Sequence, residues 1–357
     1  MSLKIIASTS ITKKLLLLVK LFYQLCETIR HANVIRIDEK EYISSDLLTA
    51  SADYLFDIQI YLPVIDKRMK IAIFGSKHQK KEQVEKLFHI LLSNNSEIYL
   101  QEKFFNYLKD AFNLEYDIAG IIRNDDFEAD LVISIGGDGT FLRTTSIIGK
   151  KNMPILGINA GRLGFLADVG EEDLESTFAD IFAGNYRIEH RSQLQLSTEH
   201  KDYHGFNYAL NEIAILKQDT ASMITVHAYI NDEFLTSYEA DGLIIATPTG
   251  STAYSLSVGG PVMTPTASNF VISAVAPHSL SNRPLVVTDD SVITLEIESR
   301  SKSFLVSLDG RSNIFHTGTK LTIKKADFQL QVIKRKENTF YNTLRNKLMW
   351  GIDPRQS

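Results

Sequence analysis

The stretch Asp130-Leu-Val-Ile-Ser-Ile-Gly-Gly-Asp-Gly-Thr140 decides the fold of this chain. Residues 130–135 form a nearly continuous apolar run, which is typical of a strand buried on both faces of a parallel sheet. The glycine-rich loop that follows leads into a helical run over 141–148. Glycine lets the backbone approach a ligand closely, and a helix start offers free N–H groups and a positive dipole end to a phosphate. The stretch predicts a phosphate-binding loop that contains Asp138 and Gly139; the alternative is a tight turn with Asp138 as helix cap.

The composition is that of an ordinary globular protein. The chain has 357 residues, of which 44% are hydrophobic and 23% charged. That length predicts about two domains of roughly 100–200 residues each, and the composition excludes disordered, collagen-like and simple coiled-coil proteins. The net charge of −5 lacks the basic footprint of a nucleic-acid binder. The single cysteine, Cys26, permits no internal disulfide, which predicts a reducing, cytoplasmic compartment.

Residues 1–68 differ in pattern from the rest of the chain. Their apolar run, 15–25, is interrupted by Lys20 and is shorter than the roughly 20 residues that span a bilayer, so no membrane partner is predicted. The basic residues of this segment leave open a weakly amphipathic targeting helix. Met69-Lys-Ile-Ala-Ile-Phe-Gly75 looks like the first strand of a domain. We therefore interpret 1–68 as an extension and hypothesise that the functional protein begins near Met69.

The remaining chain divides by its pattern into two domains and a terminal helix. Over 69–184, short apolar runs alternate with helical patterns, which predicts an α/β domain with a doubly wound, Rossmann-like parallel sheet. Over 185–335, strand-like runs follow one another without helices between them, which predicts an all-β, mostly antiparallel domain. In 336–357, a stripe of apolar residues four apart predicts one helix, which we expect to pack back on the α/β domain.

Two further loops carry side chains that suit a nucleotide. Asn159-Ala-Gly-Arg-Leu-Gly-Phe-Leu166 follows a predicted strand, and its glycines, arginine and Phe165 could hold a phosphate and stack a base. Arg143 lies one helical turn beyond the 136–140 loop, within reach of a phosphate. Asn211 and Glu212 supply an amide and a carboxylate, a pairing that suits ribose hydroxyls. Each also has an ordinary explanation, as a core aromatic, a solvated helix residue or a hairpin corner.

The run over 241–257 is long and specific. A predicted strand leads into Thr247-Pro-Thr-Gly-Ser-Thr-Ala-Tyr254, a turn dense in hydroxyl groups. Such a turn can bind an adenine edge through backbone groups and hydroxyls while Tyr254 covers the ring. Neither the P-loop pattern nor the dinucleotide fingerprint occurs in the sequence.

These motifs together resemble the NAD kinase family, in family order over roughly residues 69–350. The matching segments are 136–140, 159–166, 211–212, 241–244, 247–254 and 340–348. The resemblance implies ATP-dependent, Mg²⁺-assisted phosphorylation of the 2′-hydroxyl on the adenosine ribose of NAD, which gives NADP. It implies that Asp138 is the general base on that hydroxyl, since phosphoryl transfer needs mainly positioning and charge stabilisation.

The resemblance also implies partners and a cofactor. Mg²⁺ (or another divalent metal) is expected on the ATP phosphates, so no side chain is assigned as a metal ligand. NAD is expected in the cleft between the two domains of the chain. The protein is expected to form a homodimer or homotetramer.

Site residues follow from the same resemblance. Asn211 and Glu212 would hold ribose hydroxyls, Asp241 the nicotinamide end, and Phe165 would pack on the adenine. The dinucleotide pocket would be lined by Thr249, Thr252, Ala253, Tyr254, Ala276 and, as an extension, Ser257. Glu239 departs from the arginine or glycine that is frequent at this position in relatives and that bears on the choice between NAD and NADH. We predict NAD.

Three other functions compete with this interpretation. A diacylglycerol- or sphingosine-type lipid kinase shares the 136–140 loop but would not need the 247–254 run. A phosphofructokinase-like sugar kinase shares only the Gly-Gly-Asp-Gly fragment. A non-catalytic dinucleotide sensor on the same fold would keep its response in Asp138→Asn, whereas an enzyme would lose turnover.

Overall fold

The structure is a computed structural model that describes residues 68–77, 79–113, 116–161, 163–199, 205–219 and 222–351. All of these residues belong to one compact unit. Cys26, Arg162 and residues 1–67 of the segment interpreted as an extension lie outside the described residues. No helix in the part of the chain that the structure describes is long and apolar enough to cross a membrane.

The first half of the described chain alternates strands and helices. In chain order it contains β1 (Lys70–Gly75), α1 (Lys81–Ser93), β2 (Glu97–Gln101), α2 (Glu102–Phe112), β3 (Gly120–Ile122), β4 (Leu131–Ile135), α3 (Asp138–Ile148), β5 (Ile155–Ile158), α4 (Leu174–Phe182) and β6 (Tyr186–Arg191).

The second half is almost entirely strands. It contains β7 (Leu194–Thr198), β8 (Tyr208–Ala209), β9 (Glu212–Lys217), β10 (Ile224–Ile230), β11 (Glu233–Ala240), β12 (Gly242–Ala246), a 3₁₀ turn (Thr249–Thr252), α5 (Tyr254–Ser257), β13 (Asn269–Val275), β14 (Leu285–Thr288), β15 (Ile293–Ser299), β16 (Ser303–Leu308), β17 (Arg311–His316), β18 (Leu321–Lys325), β19 (Leu330–Arg335) and α6 (Phe340–Leu348).

A seven-stranded sheet forms the α/β part, in the order β3-β2-β1-β4-β5-β19-β6. All its pairings are parallel except β19 with β6. Side chains of a strand alternate between faces. Ile71 and Ile73 of β1 pack with α1, α2 and α4, whereas Ala72 and Phe74 pack in a cluster that contains Phe141 of α3. Helices therefore cover both faces, and the predicted doubly wound sheet is confirmed.

Two strands from the segment predicted as all-β complete this first sheet. β19 pairs in parallel with β5 through Val332 and Ile155, and along its whole length antiparallel with β6. The sequence pattern placed residues 186–189 with the second domain, and the strand at 330–335 was not predicted. Burial makes a strand apolar whichever sheet it joins, so the pattern does not specify the sheet.

The remaining strands form two six-stranded antiparallel sheets, in the orders β11-β10-β15-β18-β7-β8 and β14-β13-β12-β9-β16-β17. One buried apolar cluster draws on both sheets, for example Val226 and Leu295 from the first and Ile245 and Phe304 from the second. The predicted all-β architecture is confirmed.

The last helix, α6, begins where the apolar stripe predicted it. Its N-cap, Thr339, accepts the Asn342 backbone N–H through Oγ1 at 3.2 Å, and Leu344 is its buried anchor. The rings of Phe340 and Phe165 lie 6.4 Å apart between centroids. The helix thus contacts the loop that follows β5.

Candidate active site

Asp138 lies where the loops after β4 and β5 meet. Because these neighbouring strands are parallel, their carboxyl ends share one edge of the sheet, where open α/β folds bind ligands. Asp138 Oδ2 accepts the backbone N–H of Phe165 at 3.0 Å, and Oδ1 accepts those of Leu166 and Ala167, both at 3.1 Å. The second loop therefore fixes the orientation of the carboxylate.

This close approach of the two loops requires glycine at position 164. A Cβ there would overlap Asp138 Oδ1 and come within 2.9 Å of the Ala167 carbonyl oxygen. Gly137 and Gly139, in contrast, are exposed at the start of α3, and a Cβ at Gly137 would meet no atom within 4 Å. Their backbone N–H groups lie at the positive end of a helix dipole, as an incoming phosphate requires.

Two cations accompany this loop. Arg143, one turn into α3, is exposed and donates to Thr140 Oγ1 at 3.1 Å. Lys347 of α6 places its Nζ 3.4 Å from Asp138 Oδ2 and 4.6 Å from the centroid of the Phe165 ring. Arg143 was predicted from the sequence and Lys347 was not, although Lys347 lies inside the matching segment 340–348.

The Asn211-Glu212 turn adjoins this edge from the second domain. Leu210 belongs to the same buried cluster as Phe141 and Leu166, which flank Asp138 in the structure. Among the described residues, neither Asn211 Oδ1 nor Glu212 Oε2 has a hydrogen-bond partner, although both atoms are buried. Buried polar atoms of this kind are normally paired, so both are suited to a ligand's hydroxyl groups.

Asp309, which the sequence analysis did not select, holds this turn in place. Its carboxylate accepts the backbone N–H groups of Leu210 at 2.7 Å, Asn211 at 2.8 Å and Glu212 at 3.2 Å. Burial raises the pKa of Asp309. Burial, followed by the nearby charge of Asp309, raises the pKa of Glu212 to about 8. Glu212 is therefore mostly protonated at neutral pH and can donate as well as accept a hydrogen bond.

Most hydroxyls of the 247–257 run are used inside the run or against the turn. Ser251 Oγ donates to the Pro248 carbonyl at 2.7 Å, Thr252 Oγ1 to the Thr249 carbonyl at 3.3 Å, and Ser257 Oγ to the Tyr254 carbonyl at 2.8 Å. Thr247 Oγ1 donates to the Leu210 carbonyl. The donor hydrogens of these four hydroxyls therefore stabilise the turn itself.

Tyr254 is the residue of that run whose aromatic ring is exposed to solvent. Its side chain is among the exposed aromatic groups, and its backbone N–H hydrogen-bonds the Glu212 carboxylate. Gly250 packs so closely on Asn211 that a Cβ would overlap the Asn211 backbone carbonyl. Thr249, Thr252, Ala253 and Tyr254 are thus brought beside the Asn211-Glu212 turn.

Buried charges connect the two domains beneath the site. Arg191 of β6 pairs with Glu189 at 2.6 Å, and its Nη1 donates to Thr249 Oγ1 at 3.3 Å. Lys334 of β19 pairs with Asp168 at 2.7 Å, and both side chains are buried. Asp168 directly follows the loop that holds Asp138. No motif in the sequence marks these residues, because nothing before the structure relates β6 and β19.

Three predicted residues lie further along the second domain. The Asp241 backbone N–H donates to the Val275 carbonyl, which places Asp241 beside Ala276, and Asp241 pairs with Lys217 at 2.6 Å. Ala276 has a positive φ of 45°. Glu239 is exposed and lines a cavity of about 540 Å³ together with Ser222, Met223, Thr225, Glu298, Ser299 and Arg300.

A carboxylate fixed where the loops after two parallel strands meet, and a second-domain turn whose buried polar atoms lack partners among the described residues, are typical of a two-domain nucleotide-binding phosphotransferase. Comparison with known proteins identifies the family. A family model for the ATP-NAD kinase N-terminal domain matches residues 45–186, and one for the ATP-NAD kinase C-terminal domain matches residues 210–335. The first match begins inside the segment interpreted as an extension.

Relatives and solved structures agree with these matches. The NAD kinase of Bacteroides fragilis is 50% identical over 289 residues, which cover 80% of this chain and 100% of that protein. The NAD kinase of Porphyromonas gingivalis is 45% identical over 284 residues, 79% of this chain and 98% of its own. The chain belongs to the ATP-NAD kinase family and is a phosphotransferase, as its motifs predicted.

Two solved structures share the fold. An NAD kinase from Archaeoglobus fulgidus in complex with ATP has a TM-score of 0.63 at 27% identity and covers 79% of this chain and 98% of its own. Yeast NADH kinase complexed with NADH has a TM-score of 0.72 at 22% identity and covers 82% of this chain and 91% of its own. The fold class inferred from the sequence is confirmed.

Proposed function

We propose that the chain transfers the γ-phosphoryl group of ATP to the 2′-hydroxyl on the adenosine ribose of NAD, with Asp138 as general base. The observation that carries this proposal is the carboxylate of Asp138, held by three backbone N–H groups between the loops after β4 and β5. A fixed carboxylate can accept the hydroxyl proton without reorganisation. The 2′-oxygen then bonds to the γ-phosphorus, and the bond to the β–γ bridging oxygen breaks with its electron pair leaving on ADP.

The remaining site residues bind and orient the two substrates. Gly139 and Arg143 hold donor phosphates at the start of α3, where free N–H groups favour an anion. Asn211 and Glu212 hold ribose hydroxyls through Asn211 Oδ1 and Glu212 Oε2, which lack hydrogen-bond partners among the described residues. Phe165 packs on adenine, and the pocket is completed by Thr249, Thr252, Ala253, Tyr254, Ser257 and Ala276. Asp241 binds the nicotinamide end, and Glu239 favours NAD over NADH.

Mg²⁺ belongs to this reaction as a partner of ATP. Among the described residues there is no group of three or more His, Cys, Asp or Glu side chains placed to hold a metal ion. Mg²⁺ usually keeps several waters and binds substrate phosphates, so it fits this site on ATP without a protein cage. When bound, it neutralises charge on the donor phosphates, while Asp138 and Arg143 act on the hydroxyl and the phosphates.

Assembly and location complete the proposal. The resemblance to the family supports a homodimer or homotetramer. Light scattering on the purified protein measures the mass of the oligomer. The lone cysteine supports a cytoplasmic compartment. We propose 69–184 as the core of the α/β domain, 185–335 as the all-β domain apart from β6 and β19, which complete the α/β sheet, 336–357 as the terminal helical segment and 1–68 as an extension; limited proteolysis tests these limits.

The decisive experiment measures NADP formation with NAD, ATP and Mg²⁺, with NADH and polyphosphate as alternative substrates. Wild-type protein should form NADP from NAD and ATP. Asp138→Asn should lose at least about 100-fold in kcat, the lower range for a general base, while NAD affinity measured by calorimetry stays within about threefold. Near wild-type turnover in this variant would exclude Asp138 as the base.

A further inference from the structure

Lys347 occupies the position on Asp138 that a substrate hydroxyl needs. A carboxylate offers about four lone-pair sites. Oδ1 already accepts two backbone N–H groups, from Leu166 and Ala167, and Oδ2 accepts that of Phe165. The Lys347 ammonium, 3.4 Å from Oδ2, takes the remaining site. A hydroxyl can therefore reach the base only when this ammonium moves.

The second contact of Lys347 is also with a substrate-binding residue. Its Nζ lies 4.6 Å from the centroid of the Phe165 ring, the ring that would pack on adenine. Both groups that Lys347 contacts, Asp138 and Phe165, are thus groups that we expect the bound nucleotide to contact. The helix that carries Lys347 stays fixed meanwhile, because Leu344 is buried and Thr339 caps its start.

The displaced ammonium has an anion within reach. A hydroxyl lies about 3 Å from its base and the reacting phosphorus about 3–3.5 Å further, so the transferring group comes within roughly 6 Å of Asp138. The Lys347 side chain, about 30% exposed, stands beside that position. A lysine ammonium is a mobile point charge and a regular phosphate ligand in proteins.

We propose that Lys347 is a second catalytic residue, which leaves Asp138 when the ribose hydroxyl arrives and then binds the transferring phosphoryl group. Its charge offsets the charge that develops on the phosphoryl oxygens. This inference rests on the proposed role of Asp138 as general base.

Steady-state kinetics on Lys347→Met test the proposal. We expect kcat to fall about 100-fold, the effect of removing one charge-stabilising donor, with the Kd for NAD within about threefold of wild type. Lys347→Arg keeps the charge and should restore at least about tenfold of that loss, which a purely structural role would not predict. Arg345→Met is the matched control, since Arg345 is an exposed cation of the same helix, and it should keep wild-type kcat.

The double variant with Asp138→Asn separates this inference from the proposed function. In that background Lys347→Met should cost less than in wild type, because the two residues act in one step. If Lys347→Met kept or raised kcat while Asp138→Asn lost turnover, the proposed role of Lys347 would be overturned and the general-base role of Asp138 would stand. Loss in Lys347→Met with turnover retained in Asp138→Asn would support the phosphoryl contact and overturn the general-base role. Equal kcat in Lys347→Arg and Lys347→Met would also overturn the inference.

Discussion

Asp309 and Glu212 are two carboxyl groups joined through a backbone amide: the Glu212 N–H donates to Asp309 Oδ1 at 3.2 Å. Asp309 belongs to the turn between β16 and β17, and Glu212 begins β9, so residues almost a hundred positions apart are coupled in one site. The pKa of each is raised by burial, and the charge of Asp309 adds to the shift of Glu212. The position of the Asn211-Glu212 turn and the protonation of Glu212 therefore depend on the same hairpin.

The raised pKa of Glu212 makes stability depend on pH. The pKa of about 8 in the folded state lies above the ordinary value of 4.5, so the folded state binds more protons than the unfolded state between these values. The contribution of Glu212 to stability is full below about pH 4.5 and is lost as pH rises through 8. Glu212→Gln mimics the neutral form and should therefore gain Tm relative to wild type between pH 5 and pH 9.

Calorimetric melting of ligand-free protein at pH 5, 7 and 9 measures this difference. We expect it to grow by several degrees, since about 1 kcal/mol moves the Tm by about 2–4 °C in a chain of 150–250 residues. Glu296→Gln, at an exposed position of β15, should leave the pH dependence of wild type unchanged. A difference that stays constant across these pH values would contradict the assignment.

Asp309→Asn should destabilise the Asn211-Glu212 turn, which we propose holds ribose hydroxyls. The asparagine amide keeps one acceptor oxygen, and its NH₂ group cannot accept the N–H groups that the second carboxylate oxygen accepted. Leaving such a buried N–H group without an acceptor costs about 1–3 kcal/mol of stability. We expect lower stability in urea and a KM for NAD raised more than the KM for ATP. Asp232→Asn, in the exposed turn between β10 and β11, is the matched control, and it should leave both KM values unchanged.

Two glycines of the phosphate-side loops should respond differently to alanine. Gly164→Ala forces a Cβ onto Asp138 Oδ1, so the loop or the carboxylate must shift. We expect kcat to fall at least about 100-fold, since small displacements of catalytic groups have effects of this size. Gly137→Ala meets no atom within 4 Å and has φ −85°, so the Tm should stay at the wild-type value. Its KM for ATP should rise if phosphate approaches that backbone.

Much of the fold and part of the site could be predicted from the sequence. The strand before Gly136, the helix after it and the antiparallel second domain follow from local apolar periodicity, which residues close in sequence record. The Asp138 loop could be found because a ligand requires several unusual residues in one short segment.

The remaining site residues could not be found in this way. Asp309 acts through three backbone amides that are distant in sequence, and an Asp-Gly turn is common in hairpins. Lys347 lies on an ordinary amphipathic helix, and only tertiary packing brings it to Asp138. β19 was missed because its residues alone do not record which sheet they join.

The buried pair of Lys334 and Asp168 adjoins the loop that holds Asp138 and gives the last prediction. Their charged atoms lie 2.7 Å apart, and each side chain is less than a tenth exposed. Lys334→Met removes the hydrogen-bonded cation from the buried Asp168 carboxyl group, which should destabilise the protein by about 3–5 kcal/mol, measured by urea unfolding. Because Asp168 follows Ala167, whose N–H binds Asp138, kcat should fall as well.

The double variant Lys334→Met/Asp168→Leu separates charge from packing. Replacing both members of a buried pair by apolar groups is often nearly neutral, so stability should recover by at least about half of the loss. Lys81→Met is the exposed control: Lys81 and Glu85 form a surface pair at 3.7 Å, and its loss should change stability by less than about 1 kcal/mol. If the double variant were no more stable than Lys334→Met, the loss would arise from the packing of the lysine stem rather than from the unpaired carboxylate.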